Sequence, residues 1–424
     1  MLEKPKLFLN VKEFLVTLFI LSFLLLIRLL YIYSDYEAFK SKPFYYTEVE
    51  VIQAYEKRSS DGYYTILKLY SSTLDMTFFS RTKKDELELS RKLRVKIFPN
   101  SNMEFLEYLA VPFIYSKVNR VYRDENSSRN RVVVAVEAQH SEAFISNFYN
   151  AIFFATPLEK DLRKRVSALG VSHLIALSGF HLAILWGVLF SLLKIIYRPI
   201  QQKFFPYRFD LFDVGFIVLL LLAFYVWFVG APPSLIRSYT MLLLSWILLV
   251  LGMELLSFSF LGITVSLLLL IFPKMLLSLA FWFSVIGVFY IFLLLHYFST
   301  LNRYLMTLLI SFGIFILMLP IVHMIFPVTS LFQLASPLLS LIFSIFYPLS
   351  IFLHLVGLGY LFDPLLLSLF TLESREVLVQ VNIWLGVSYM TLSILSIYSR
   401  WLFYVLSLYA LSFSIWLFSS FWVS

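Results

Sequence analysis

Long uninterrupted apolar runs constrain the fold of this chain more than any other feature of its sequence. The first, VKEFLVTLFILSFLLLIRLLYIY at residues 11–33, reaches the roughly 20 residues that a helix needs to cross a bilayer. Hydrophobic residues make up 60% of the 424 residues and mean hydropathy is +0.83, values that are typical of membrane proteins. The sequence therefore predicts a polytopic α-helical membrane protein with about ten transmembrane helices. The further runs lie at 172–197, 211–230, 234–251, 256–272, 276–298, 304–326, 331–356, 378–398 and 400–422.

The charges around the first run predict its orientation. Lys4, Lys6 and Lys12 lie at its N-terminal end, and cytoplasmic flanks of membrane helices are enriched in lysine and arginine. Because no small-residue cleavage site follows the run, we expect residues 1–34 to be a retained anchor rather than a signal peptide. The N-terminus is thus predicted to be cytoplasmic, in a multi-pass protein of the cytoplasmic (inner) membrane. The net charge of +8 agrees with basic cytoplasmic loops and permits, without requiring, a polyanionic partner.

Residues 35–140 have a different pattern. Charges are dense, and segments such as TEVEVIQAY, YYTILKLYS and LRVKIFP alternate apolar and polar residues, which is typical of strands. Asp61-Gly62 lies between the first two segments and predicts a tight hairpin. About five short strands in some 70 residues fit a small β-barrel of the OB kind. Since one crossing precedes it, we expect this OB-like domain to be extracytoplasmic (periplasmic).

Two basic segments are candidates for attracting a polyanion. Residues 81–96, RTKKDELELSRKLRVK, hold seven Lys/Arg and three Asp/Glu, and either a solvated face or a footprint for nucleic acid explains them. Residues 141–170 are predicted to form amphipathic or interfacial helices, the second beginning at Pro157 and ending at Gly170. The cations of the two segments are Arg81, Lys83, Lys84, Arg91, Lys92, Arg94, Lys96, Lys160, Arg163, Lys164 and Arg165.

The stretch VSHLIALSGFHLAIL at residues 171–185 places polar groups inside an apolar run, where each costs free energy to remove from water. On a continuous helix Ser178 and His181 share a face, and His173 lies about 80° away. Gly179 allows either a close approach of another backbone or a break in the helix. Four interpretations remain open: polar contacts between helices, a serine hydrolase with a histidine base, a metal site, and the lining of a wet transport path.

A second polar cluster, GAPPSLIRSYTM, begins at residue 230. Pro232 and Pro233 interrupt the chain between two spans, and Ser234 and Arg237 follow in the first turns of the next helix. The arginine must reach the interface, pair, or face a wet cavity, and the last of these suits an anionic ligand. A third run, at residues 269–291, is punctuated by serines such as Ser284, which is a weak signal alone.

Absent residue types exclude several kinds of site. The chain has no cysteine, which excludes disulfides, Cys-ligated zinc, iron–sulfur clusters and a cysteine nucleophile. It has no GxxxxGK[ST] loop, so nucleotide hydrolysis by that route is not expected. Acidic partners for a histidine metal site are scarce within the apolar runs, and we expect no metal and no cofactor.

Taken together, these clusters resemble the ComEC family of DNA-internalisation (competence) proteins. HLIALSGFH at residues 173–181 is similar to the family's His-Leu-Leu-Ala-Ile-Ser-Gly-Leu-His signature, and PSLIRSYTM at 233–241 is similar to its Pro-Ser-x-x-Arg-Ala-x-x-Met pattern. Phe-Trp-Phe-Ser at 281–284 stands where the family has Phe-Gln-Leu-Ser, so a role that depends on that glutamine is in doubt here. The resemblance covers about residues 145–400 and extends to the OB-like domain. The chain carries no His-x-His-x-Asp-His motif, so we expect a short form without the metallo-β-lactamase-like domain.

The resemblance implies a non-enzymatic channel that passes single-stranded DNA through the inner membrane during natural transformation, with residues 171–424 as its transmembrane domain. The implied partners are single-stranded DNA, a periplasmic DNA receptor and a cytoplasmic DNA-handling or motor protein, with membrane lipids around the helices. A homodimer is one option for the assembly, because a bundle of about ten helices need not hold a pore by itself. The basic segments would collect the strand. The residues expected to line or gate the channel are His173, Ser178, Gly179, His181, Ser234, Arg237 and Ser284.

Two alternatives stay open. An intramembrane serine hydrolase would use Ser178 with a histidine base, for which His323 and His354 are distant candidates. A small-molecule or lipid transporter with an extracytoplasmic β domain would have a phenotype unconnected with DNA.

Overall fold

The computed structural model describes residues 7, 8, 10–59, 62–82, 92–122, 128–175, 177–252, 257–372 and 375–423. The chain forms two compact units. One unit comprises Phe8–Val132 and Gly262–Phe281, and the other comprises Val133–Leu261 and Trp282–Ser424 together with Met1–Leu7.

The first unit begins with a helix, α1 (Val11–Ser41), that is longer than the predicted apolar run. Its last turns bury Tyr36 and Phe39 in the core of the β domain. The Tyr36 hydroxyl also donates to the Met103 carbonyl at 2.6 Å. The membrane helix therefore continues without a linker into the packing of the β domain.

The β domain is a curled five-stranded antiparallel sheet with the strand order β3-β2-β1-β4-β5. β1 pairs with β2 as far as Ser59 and Gly62, as expected for a hairpin, although Asp61 itself lies outside the described residues. Phe79 of β3 exchanges backbone hydrogen bonds of 2.8 Å with Pro112 and Ile114, just before β5. The sheet thus curls into a half-barrel. The strands are β1 (Tyr45–Ser59), β2 (Gly62–Ser71), β3 (Met76–Thr82), β4 (Lys92–Phe98) and β5 (Tyr115–Tyr122).

Alternation of apolar and polar residues places the core of this sheet, as the sequence predicts. In β4 the side chains of Leu93, Val95 and Ile97 are fully buried, and the intervening residues face outward. A short helix, α2 (Phe105–Leu109), accompanies the sheet. A second helix, α3 (Ser128–Glu137), follows β5 in the chain and buries Val136 in the core of the helical unit. The α3 helix was not expected within the predicted β domain.

A short helical turn in the same unit contacts the sheet. Pro273–Leu277 forms a 3-10 helix, and the Lys274 ammonium donates to the Asp75 backbone carbonyl and lies 3.9 Å from its carboxylate. Burial lowers the pKa of Lys274. Lys274, at the end of a predicted span, therefore contacts the β2–β3 turn.

The other unit is helical. Its core combines α4 with the broken segment near residue 175 and with several longer helices. The helices that follow α3 are α4 (Ala143–Phe154), α5 (Lys160–Ala168), α6 (Ser172–Ile175), α7 (Gly179–Phe204), α8 (Asp210–Phe228), α9 (Pro233–Val250), α10 (Phe258–Ile271), α11 (Leu279–Phe298), α12 (Arg303–Ile325), α13 (Ser336–Leu355), α14 (Asp363–Thr371), α15 (Ile383–Leu395) and α16 (Arg400–Val423). Two short strands, β6 (Val328–Ser330) and β7 (Glu376–Leu378), form an antiparallel pair.

Seven helices of the described residues are long and apolar enough to cross a membrane. They are α1, α7, α8, α11, α12, α13 with the turn before it, and α16. Helices also occupy the other predicted spans, but α9, α10 and α15 fall short of that length. A helix of 14 residues such as α10 rises about 21 Å, against a hydrocarbon core of about 30 Å. The prediction of a polytopic helical protein is confirmed, with seven rather than about ten helices of spanning length.

Two predicted segments differ in detail. The predicted span 172–197 was wrong at its N-terminal end, because the long helix begins only at Gly179. The segment 331–356, with its two prolines, is a 3-10 turn at Leu331–Ala335 followed by α13, in which Pro348 is internal.

The helices of residues 141–170 divide between core and surface. α4 was expected to be amphipathic or interfacial, but its residues from Ile145 to Phe154 are nearly all buried, because FISNFYNAIFF is apolar around most of the helix. α5 is amphipathic as predicted, with Leu162 and Val166 buried and its cations exposed.

Candidate functional site

The polar stretch HLIALSGFH is divided between two helices. Ser178 is extended (φ −135°, ψ 178°) and caps the N-terminus of α7. His181 completes the cap, because its Nδ1 accepts from the Ser178 backbone N–H at 3.3 Å and lies 3.3 Å from the Ser178 hydroxyl. Ser178 and His181 therefore meet as predicted, but through a reciprocal capping box and not on the face of one continuous helix. His173 lies on the other helix, α6.

The His181 imidazole is buried in the bundle. It is 0% exposed and packs edge-on against Phe343 at 5.2 Å and Tyr347 at 4.8 Å, both on α13. Since Nδ1 accepts a hydrogen bond, the neutral ring carries its proton on Nε2, and this assignment follows from the hydrogen-bond pattern. Nε2 makes no hydrogen bond within the described residues, although the Leu174 carbonyl approaches the ring. The site therefore contains a buried polar N–H beside a break in the backbone.

Gly179 allows α9 to approach the start of α7. A Cβ atom on Gly179 would lie 3.1 Å from the hydroxyl of Ser238. That hydroxyl donates to the Ser234 carbonyl at 2.8 Å. Of the two roles that the sequence left open for this glycine, the structure shows both: the helix breaks just before it, and another helix packs closely against it.

Arg237 lies one turn into α9 and is only 7% exposed. Its guanidinium therefore does not extend along the protein surface towards the membrane interface, which was one of the three options that the sequence left open. Neighbouring Ser238 is also buried, and Ser234 is half-buried. Because a buried cation costs several kcal/mol unless other groups offset it, this position needs a specific polar environment.

α13 supplies groups that the sequence analysis did not include. Ser336 donates to the Gly170 carbonyl at 3.1 Å, and Ser340 lies 3.4 Å from Nε2 of His173. Tyr347, which packs on His181, lies 3.5 Å from the hydroxyl of Tyr225 on α8. Polar residues recur at intervals of three or four along α13, so they lie on one side of the helix. This periodicity in the sequence could have identified α13 as a helix that contributes to the polar cluster.

The remaining predicted lining residue, Ser284, is half-buried on α11. No described hydrogen bond links it to the cluster formed by α6, α7, α9 and α13. The structure thus joins Ser178, Gly179, His181 and Ser234 through these contacts and places His173 against α13. Arg237 is buried next to Ser238 on α9, and Ser284 lies apart from the hydrogen bonds of the cluster.

The predicted basic face of the β domain lies on the outer surface of the sheet. Lys92 and Arg94 are exposed, and the Lys96 ammonium lies 3.8 Å from the ring centroid of Phe44. Arg81 is stacked on Tyr64 at 4.0 Å. Of the other predicted cations, Lys83, Lys84 and Arg91 lie outside the described residues.

Aromatic rings share this surface with the cations. Tyr46, Lys96 and Lys117 lie directly opposite one another across β1, β4 and β5, so their side chains are on one face of the sheet. Tyr46 is 52% exposed, and its ring lies 5.5 Å from the Lys96 ammonium. We call Tyr46, Lys92, Arg94, Lys96 and Lys117 the aromatic–basic face.

The α5 cations are exposed beside the helical core. Lys160, Arg163 and Lys164 face outward, whereas Arg165 donates to the Phe370 carbonyl of α14 and lies 5.9 Å from the ring of Phe144. Arg165 therefore has a packing role, and the other three cations are available to solvent or an anion.

Comparison with known proteins agrees with the resemblance seen in the sequence. A family model described as "Competence protein" matches residues 155–423, which include the broken segment before α7, α9 and α13. Neither a curated protein nor a solved structure matches the chain. Because the family model covers well over half of its length, the chain belongs to the competence protein family.

Proposed function

We propose that this protein forms the inner-membrane channel through which single-stranded DNA enters the cytoplasm during natural transformation. The observation that carries the proposal is the buried polar cluster at the backbone break before α7, accompanied by the 7% exposed Arg237 one turn into α9. Membership of the competence protein family supports DNA uptake as the setting.

The charge of single-stranded DNA requires a polar, cation-bearing cluster inside the membrane. A single strand carries one negative charge about every 3.4 Å, and a hydrocarbon core does not admit it without a polar, cation-bearing path. Arg237 and His181 are buried in the helical unit, and Ser178 caps α7 together with His181, so the interior of the bundle contains a cation and polar groups. A non-helical segment at membrane depth is tolerated where protein or a water-filled cavity surrounds it, which fits residues 177–178.

The β domain is proposed to be periplasmic and to collect the strand before it enters. Its strand order, and the bonds that join β3 to the chain before β5, support an OB-like barrel. Its aromatic–basic face combines an exposed ring with four cations, against two carboxylates, Glu48 and Glu50, that lie opposite Arg94 and Lys92. Exposed rings and an excess of positive charge are the combination on which single strands bind by base stacking and phosphate contacts. Lys160, Arg163 and Lys164 of α5 are proposed to add positive charge along the route.

The proposed channel has no enzymatic activity of its own and needs no cofactor or metal. A periplasmic DNA receptor would deliver the strand, and a cytoplasmic DNA-handling or motor protein would draw it in. The N-terminus is proposed to be cytoplasmic, with lipids around the seven long helices and a homodimer as the assembly.

Uptake of fluorescent DNA in a strain that lacks the gene tests the proposal. We expect DNA to accumulate in the outer compartment without entering the cytoplasm, because the strand has no other path through the hydrocarbon core. Microscopy that scores the two compartments separately measures this, and re-expression of the wild-type chain should restore entry. Normal cytoplasmic entry in the deletion strain would contradict the channel and favour a transporter of other molecules.

The serine-hydrolase alternative is tested by Ser178→Asn. Asparagine caps helices about as well as serine but cannot act as a nucleophile, so we expect this variant to keep uptake. Ser178→Ala removes the cap, which costs about 1 kcal/mol, and should lower thermal stability slightly. Loss of uptake in Ser178→Asn at normal protein level, together with labelling of wild-type Ser178 by a covalent serine probe, would favour the hydrolase.

A further inference from the structure

Three residues from two distant regions of the sequence form a largely buried chain of hydrogen bonds in the helical unit. Nδ1 of His140, just after α3, lies 3.0 Å from each carboxylate oxygen of Asp363, the first residue of α14. Nε2 of His140 lies 3.0 Å from Nε2 of His354 on α13. Nδ1 of His354 lies 2.7 Å from the Ser350 carbonyl. The side chain of His140 is 0% exposed and that of Asp363 is 10% exposed.

The hydrogen bonds determine how many protons this chain holds. A carbonyl oxygen only accepts, so Nδ1 of His354 carries a proton, and while this ring is neutral its Nε2 presents a lone pair. The 3.0 Å contact then requires a proton on Nε2 of His140. With Asp363 ionised, His140 must be doubly protonated; with Asp363 protonated, His140 is neutral and accepts on Nδ1. A third arrangement satisfies the same contacts: His354 is doubly protonated and donates to Nε2 of His140, and Nδ1 of His140 donates to ionised Asp363. All three arrangements contain the same number of protons and have no net charge.

Removal of that proton would leave an unfavourable state. Two imidazole lone pairs would face each other at 3.0 Å, and the buried carboxylate would lose its balancing charge, which is costly in an apolar core. A proton suits the gap better than a metal ion, because only two nitrogens converge and no group of three or more metal-binding side chains occurs among the described residues.

Gln139, the neighbour of His140, holds the turn between α13 and α14. Nε2 of Gln139 donates to the His354 carbonyl at 3.1 Å, and its Oε1 accepts from the Gly359 N–H at 2.9 Å. A Cβ atom on Gly359 would lie 2.7 Å from both Gln139 Oε1 and His354 Nε2, so this glycine permits the close approach. The residues that follow α3 are thereby joined to the end of α13 and the start of α14.

Other ionisable groups near the site are few. Tyr149 of α4 stacks on His140 with ring centroids 4.6 Å apart, and its buried hydroxyl has no hydrogen bond within the described residues. Glu137 of α3 accepts from the Asn150 side chain at 2.9 Å. Arg165 of α5 donates to the Phe370 carbonyl at the far end of α14. Asp363 is therefore the carboxylate that contacts this pair of histidines, through the ring of His140.

We propose that Asp363, His140 and His354 form a binding site for a single proton, which holds the α13–α14 turn against the segment after α3 and releases it when the proton leaves. α13 also carries Phe343 and Tyr347, which pack on His181. Protonation at one end of α13 is thereby linked to the helix that lines the polar cluster. This inference does not depend on the identity of the transported molecule.

Hydrogen–deuterium exchange of the full-length protein in nanodiscs tests the site. The readout is the protection of peptides covering residues 356–363 between about pH 5 and 8, the range in which histidine charge changes, after correction for intrinsic exchange. Because the closed turn binds one proton more than the open turn, protection in the wild type should fall as pH rises, by up to about tenfold per pH unit.

His354→Gln supplies the matched variant. A glutamine amide can donate to Nε2 of His140 without an added proton, so protection should no longer depend on pH. His323→Gln is the control, because His323 makes the same bond to the carbonyl four residues before it, at 3.1 Å from Leu319, away from this site. It should keep the pH dependence of the wild type.

Three results would overturn the proposal. Protection of the wild-type turn could be flat with pH, His354→Gln could retain the wild-type slope, or chelators could remove the protection at every pH, which would identify the bridging cation as a metal. If His354→Gln does not fold, Asp363→Asn serves instead. Asparagine reproduces the protonated form of Asp363, because its amide can donate to Nδ1 of neutral His140 without an added proton. Protection should therefore no longer depend on pH, and a wild-type slope in this variant would contradict the site.

Discussion

Replacement of Arg237 by leucine is expected to abolish DNA entry into the cytoplasm while the protein remains in the membrane. Arg237 is 7% exposed within the bundle, and in the proposed channel it faces the phosphates of the passing strand. A unit charge about 4 Å from a phosphate contributes about 4 kcal/mol at an effective dielectric constant near 20. If the strand loses that contribution at the highest free-energy barrier along its path, its passage through the membrane slows on the order of 10³-fold.

The measurement is transformation frequency together with compartment-resolved fluorescent-DNA uptake. Membrane abundance of the variant, measured in parallel, separates a transport defect from misfolding. Arg237→Lys retains the charge and should restore part of the uptake. Arg303→Leu is the matched control, because Arg303 is an exposed arginine at the start of another long helix, α12, and its loss should leave uptake near the wild-type level. Wild-type transformation by the Arg237→Leu strain would show that Arg237 does not line the path.

The sequence predicted the elements of the fold well because local patterns determine them. Apolar length identified the membrane helices, and period-2 alternation identified the strands whose core includes Leu93, Val95 and Ile97. It failed at residues 172–178, where length alone suggested a continuous helix. Ser178 with His181 three residues later is a capping pair, but histidine is rarely the partner in a capping box, so the helix start at Gly179 was missed.

The candidate sites differ in how much the sequence could reveal. Ser178, Gly179 and Arg237 were identifiable because polar and small residues are conspicuous in apolar runs. The proposed proton site was not identifiable from the sequence, because His140 and Asp363 are 223 residues apart. Each of them alone looks like an ordinary polar residue near the end of an apolar run. Only the fold of α3, α13 and α14 brings them together, and no local pattern in one sequence encodes such a long-range contact.

The aromatic–basic face of the β domain gives the second large expected effect. Replacing Lys92, Arg94 and Lys96 together with glutamine should weaken binding of the purified full-length protein to single-stranded DNA. Each lost phosphate contact reduces the magnitude of the slope of log affinity against log salt concentration by about 0.7. Three lost contacts reduce it by about 2, which corresponds to about 100-fold weaker binding near 0.1 M salt.

Fluorescence anisotropy of a labelled oligonucleotide, titrated at several salt concentrations, measures both the affinity and the slope. Tyr46→Ala separates stacking from charge, because loss of a stacked ring costs about 1–3 kcal/mol per base while the salt slope stays unchanged. Glutamine at Lys203, Arg303 and Arg400, exposed cations at the ends of membrane helices, is the charge-matched control and should leave the slope near that of the wild type. An unchanged affinity and slope in the Lys92, Arg94 and Lys96 variant would exclude this face as the collecting surface. If glutamine at Lys160, Arg163 and Lys164 instead abolished the binding of single-stranded DNA, the collecting role would belong to α5. Affinity and salt slope should then fall together, because phosphate contacts determine both.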